Sequence, residues 1–184
     1  MNLIIVIAVV VLIALLVGGI YNQLVRRRNE VDNAWSQIDV QLKRRLDLIP
    51  NLVETVKGYA AHEKTALEAV IAARNSAMST GSSPHEQAAA DNAVSSALRQ
   101  LFALSEAYPD LKASANFLSL QDELSTTENK VSFARQFYND NVRALNTAVK
   151  TVPTNFFAGF AKVTEREFYE VEDPQDRKAP NVKF

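Results

Sequence analysis

Residues 3–20 read LIIVIAVVVLIALLVGGI, and Arg26, Arg27 and Arg28 follow them. Fourteen of these 18 residues are Leu, Ile or Val; the others are Ala or Gly. As a helix of 18 to 21 residues the run is roughly 27–32 Å long, which matches a bilayer hydrocarbon core of about 30 Å. Its Leu, Ile and Val side chains favour insertion by on the order of 4–8 kcal/mol in total, and no charge opposes them. No glycine or proline stands between Ile20 and Pro50. The anchor is therefore expected to continue as helix into whatever follows.

A cleavable signal peptide would want a basic leading segment and a small-residue cleavage site. Only Met1 and Asn2 precede the run, and no Ala-x-Ala follows it. The chain has no cysteine, so it has neither a lipoprotein attachment site nor a disulfide. Arg26, Arg27 and Arg28 set the orientation by the positive-inside bias. The expectation is a single-pass protein of the bacterial inner (cell) membrane, N-terminus outside and body cytoplasmic.

The expected division is 1–21 transmembrane anchor, 22–152 cytoplasmic helical bundle, and 153–184 aromatic and acidic extended tail. All 20 basic and 21 acidic residues lie beyond the anchor. That near balance gives no nucleic-acid footprint. The chain has only five glycines, two of them in the anchor, which argues against a turn-rich β or α/β body and for an all-α one.

Apolar positions support this reading. Tyr21, Leu24, Val31, Trp35, Ile38, Leu42, Leu46 and Ile49 recur at mostly three- and four-residue gaps, as on an amphipathic helix. Pro50 interrupts the pattern, which resumes at Val53, Val56, Ala60, Leu67, Val70, Ile71 and Met78. A hairpin at Pro50 is favoured over one helix of nearly 60 residues, which would extend roughly 85 Å. After a flexible turn at 79–83, Ser83 is expected to cap a helix with Pro84 at its first position and Glu86 completing a capping box. That helix carries Ala90, Val94, Ala97, Leu101, Leu104 and Tyr108 up to Pro109. A long coiled-coil-like helix follows, with Phe117, Leu120, Leu124, Thr127, Val131, Ala134, Tyr138, Asn141, Leu145 and Ala148 every three or four residues. Phe133, Phe137 and Ala144 give it a second apolar edge.

The chain resembles the LemA family of membrane-anchored bacterial proteins. The resemblance rests on residues 34–42 (AWSQIDVQL), 44–53 (RRLDLIPNLV) and 59–63 (YAAHE). It also rests on Ala73-Arg74-Asn75, Tyr108-Pro109, Phe137-Tyr138-Asn139, Asn146 and the closing Pro180-x-Val182-x-Phe184. It implies a membrane helix with a short outer terminus and a bundle of about four long antiparallel helices. It implies no enzymatic activity and no cofactor.

The chemistry-bearing residues agree. His62-Glu63 lacks the second histidine of a zinc-protease pattern, because position 66 is Ala. His85 falls in a capping turn. No catalytic or metal constellation is expected, and an unrecognised metal enzyme is the poorest reading. Arg44, Arg45, Asp47, Asn51, Glu54 and Lys57 cluster around Pro50 as a candidate interaction surface; the plain alternative is a solvated helix end. Trp35 and Asn141 are candidates for core or subunit interface, Asn141 because a buried Asn selects helix pairings. Phe156, Phe157 and Phe160 are candidates for contact with the membrane interface or another subunit. If Pro50 is a hairpin, the end of the long helix returns to the bilayer; if it is only a kink, the aromatic segment points away. Gly58 costs roughly 1 kcal/mol in a helix relative to Ala, offset only if it permits close packing.

The first functional expectation is a non-catalytic, membrane-anchored scaffold that forms homo-oligomers and organises membrane or partner proteins. The second is a regulatory adaptor for another membrane protein, such as a quality-control protease. The lipid bilayer is a partner in both.

Overall fold

The computed structural model describes residues 2–81 and 83–170. The expected extended tail beyond 170, with its Pro180 motif, lies outside the described residues. Among those described, the secondary structure is entirely helical: α1 Asn2–Tyr59, α2 Lys64–Ser79, α3 Pro84–Ser105, α4 Pro109–Lys112, α5 Ala115–Lys150 and α6 Asn155–Ala158.

α1 corrects the hairpin expected at Pro50. The helix runs 58 residues, from Asn2 just ahead of the apolar run to Tyr59, with Pro50 inside it. A proline in a helix interior removes one backbone donor and crowds the carbonyl four residues back, a cost of about 3 kcal/mol. That carbonyl belongs to Leu46. The Arg74 Nε of α2 donates to it at 2.9 Å, so the oxygen left without its helical partner is satisfied from a neighbouring helix. Pro50 faces solvent, while Ile49, Leu52, Val53 and Val56 continue the core seam past it. With the acceptor satisfied and the seam unbroken, tertiary packing outweighs the local defect.

The reversal comes ten residues later, at 60–63. Ala60 donates to the Val56 carbonyl at 2.8 Å, and Glu63 to the Ala60 carbonyl at 3.1 Å. Ala60 is buried, which fixes the exit from α1. A methyl group placed on Gly58 would meet nothing within 4 Å, so this glycine permits no close packing. Gly58→Ala is expected to stabilise the full-length chain by about 0.5–1 kcal/mol, read as a higher thermal midpoint by far-ultraviolet circular dichroism in detergent.

α3 starts as its sequence predicts. Ser83 is the N-cap, Pro84 opens the helix, and the Ser83 side chain accepts from the Glu86 N–H at 3.5 Å. Two details differ from expectation. Pro109 ends nothing by itself but opens the short α4, and 155–158 form a helical turn within a segment expected to be extended.

The chain divides into two compact units: Met1–Asp39 with Ser132–Phe168, and Val40–Val131 with Tyr169–Phe184. In the second unit the core gathers Ile49, Leu52 and Val56 of α1, Leu67 and Val70 of α2, Val94, Leu98 and Leu101 of α3, Leu111 of α4, and Phe117 and Leu124 of α5. In the first, Leu24, Val31, Ala34 and Ile38 of α1 are buried, as are Ala134, Tyr138, Val142, Leu145 and Ala148 of α5. Met78, placed on the apolar stripe by its spacing, is exposed.

Candidate functional site

Leu24, Val31, Ile38 and Leu52 recur at multiples of seven along α1, and all are buried. The same spacing places Arg45 on that inward line, and the structure buries it at 4 % exposure. It is a cation in a core position. Its guanidinium contacts Asp91 of α3 at 2.6 Å, the Ser95 hydroxyl at 2.9 Å and Glu128 of α5 at 2.6 Å. Asp91 is itself 3 % exposed, and the Tyr169 hydroxyl donates to its second oxygen at 3.4 Å. Removing such charges from water costs several kcal/mol each, so they are tolerated only when paired and hydrogen-bonded.

Arg45, Ser95 and Glu128 of this network line a cleft of about 500 Å³, together with Asn92, Arg99, Phe102, Gln121, Ser125 and Asn129. Leu98 and Leu124 add apolar lining to its polar groups. The Ser95 hydroxyl faces a cation rather than a base, which is the wrong partner for activating a nucleophile. This is an arrangement for holding helices in register.

The other residues of the expected interaction surface separate from Arg45. Arg44, Asp47, Asn51, Glu54 and Lys57 are all exposed. Their three- and four-residue gaps place them along the outer face of α1. Glu63 accepts a hydrogen bond from the Tyr108 hydroxyl at 2.8 Å. That bond is the main cause of an upward shift of the Tyr108 pKa, with desolvation second. His62 and His85 are exposed.

In the first unit, Trp35 is half-buried and packs against Tyr138, ring centroids 5.4 Å apart. The Tyr138 hydroxyl donates to the Glu167 carbonyl at 2.9 Å, and burial is the largest cause of its raised pKa. Asn141 is half-buried and bonds within its own helix, to the Phe137 carbonyl at 2.8 Å; Val142 takes the fully buried place beside it. Arg26 pairs with Glu30 at 3.5 Å on the surface, and Arg28 is half-buried. Arg27 lines a second cleft, of about 420 Å³, with Gln23, Arg143 and Thr151. Phe157 is half-buried, whereas Phe156 and Phe160 are 73 % and 81 % exposed.

A profile of the LemA family matches residues 34–184. The chain belongs to the LemA family. A protein named Protein LemA, from Metamycoplasma hominis, is 30 % identical over 143 residues, covering 76 % of this chain. The matched region spans 64 % of that relative's length. Membership marks this as a membrane-associated protein, and residues 3–20 of α1 are its candidate span. The motif residues have structural roles in this LemA-family chain: Arg45 pairs in the core, Arg74 satisfies the carbonyl opposite Pro50, and Glu63 meets Tyr108. Sequence reasoning missed the first two. The seven-residue spacing from Leu24 would have flagged Arg45, but nothing local could have assigned Arg74 to Leu46.

Proposed function

We propose that this LemA-family chain is a non-catalytic scaffold that self-associates at the inner membrane and organises membrane or partner proteins there, with its body on the cytoplasmic side. The observation that carries the reading is on α5. Phe133 and Phe137, one turn apart, are 73 % and 50 % exposed, on an edge separate from the inward seam of Val131, Ala134 and Tyr138. Burying one phenylalanine is worth about 1.5–3 kcal/mol. Two of them contribute about 3–6 kcal/mol, which reaches only the low end of the roughly 4–15 kcal/mol that association costs from free solution. A membrane anchor confines copies to two dimensions and aligns them, which cuts that cost. Contacts too weak for a soluble protein then suffice.

The test is the mass of the full-length assembly in native-like lipid discs, with and without Phe133→Asp and Phe137→Asp. The unsubstituted chain is expected as a higher assembly and the double variant as a monomer of unchanged helical content. A strictly monomeric unsubstituted chain would refute the scaffold reading.

An adaptor role draws support from the exposed line of Arg44, Asp47, Asn51, Glu54 and Lys57. It predicts a stoichiometric membrane-protein partner that is lost on charge reversal at Arg44 and Lys57. Arg45 has to be left intact in that experiment, because its reversal would break the core.

A further inference from the structure

We infer that the turn formed by α6 is a second membrane contact, whose Phe156 and Phe160 rings rest in the interfacial layer of the bilayer that α1 enters. Three observations within the first unit lead there. The first is position. The Phe160 ring lies 6.2 Å, edge to face, from the ring of Tyr21, and Tyr21 directly follows the apolar run. A tyrosine at that place belongs to the aromatic belt of a membrane span, where rings meet headgroups. Phe160 is therefore at headgroup depth if residues 3–20 span.

The second observation is asymmetry. Ala161 donates to the Phe157 carbonyl at 2.9 Å, so the helical turn carries on past α6 and places Phe160 one turn after Phe156. Ala158, Ala161 and Val163 are buried, while Phe156 and Phe160 are among the most exposed large apolar residues outside the apolar run. The inner face of this segment is packed and its outer face is bare.

The third is rigidity. The segment that follows is tied down by an ion pair between Lys150 and Glu165 at 2.7 Å. Asn146 exchanges two hydrogen bonds with the Arg166 backbone, each 2.9 Å, and the Arg166 side chain reaches Asp32 of α1 at 2.9 Å. The exposed rings are thus held beside the span rather than left on a loose tail. Lipid is the occupant favoured by continuity with that span: the bare face begins where the apolar run ends. With two points of contact, the bilayer would fix the rotation and tilt of α1, and with them the presentation of the first unit. This inference rests on the membrane span alone and does not require self-association.

The chain has no cysteine, so Phe160→Cys gives a single labelling site on the full-length protein. With an environment-sensitive fluorophore at that position, in vesicles of phosphatidylcholine and phosphatidylglycerol, emission is expected to shift to the blue. It is also expected to be quenched by lipids carrying a nitroxide near the headgroup, at every protein-to-lipid ratio. A water-like, unquenched spectrum would overturn the proposal. Shielding that fades on dilution into excess lipid would overturn it too, because the cover would then be a second copy. Cysteine at the exposed Asp39, about 27 Å further along α1 than Tyr21 and labelled in the same way, supplies the unquenched reference.

Discussion

Arg45→Ala is expected to cost about 3–5 kcal/mol, because it takes the guanidinium away from an Asp91 carboxylate that stays buried. For a chain of this length that lowers the thermal midpoint by on the order of 10 °C. Asp91→Ala is expected to cost less. Arg45 then keeps Glu128 at 2.6 Å, and that carboxylate is 43 % exposed and able to draw on water. The order of the two losses is the informative result. An Arg45→Ala chain that melts within a degree or two of the parent would mean that the buried pair contributes nothing to the fold. Replacing Arg45 and Asp91 together with Met and Leu should recover most of the loss, since an apolar substitute of similar volume removes both desolvation penalties.

The second large effect concerns Arg74 and Pro50. Arg74→Ala strands the Leu46 carbonyl in a half-buried place where α1 has no donor for it, at a cost of about 1–3 kcal/mol. Pro50→Ala supplies that donor from within the helix. In an Arg74→Ala background it is therefore expected to restore most of the stability, whereas simple additivity predicts a background-independent gain. A double-mutant cycle on the full-length chain, followed by chemical denaturation in detergent, measures the difference. A coupling energy near zero would show that the Arg74 contact does not compensate for the proline.

These two sites also mark where the sequence was readable and where it was not. The all-helical body followed from glycine scarcity and from gaps of three and four. The start of α3 followed from Ser83-Pro84 and its capping chemistry, because caps act within one turn. The turn at 60–63 did not, since Ala60-Ala61-His62-Glu63 contains no glycine, proline or asparagine to announce it. Pro50 announced a break that never forms. Arg45 looked like surface because its neighbours Arg44 and Asp47 are surface, although its distance from Leu24, Val31 and Ile38 pointed inward.

The sequence by itself determined the membrane address, the helical class, and the continuity of the anchor with the body. These depend on local quantities, namely hydropathy, propensity and capping, which act over one or two turns. Only the tertiary structure decided which interruption becomes a turn. The outcome at Pro50 depends on an arginine 24 positions away in the chain, and at 60–63 on the burial of Ala60. The three reversals between α1 and α5 are as many as a hairpin at Pro50 would have given, and they bring Phe160 back beside Tyr21 with the first turn in a different place. A helix ends where long-range packing stops repaying its extension, and no local window of sequence contains that information.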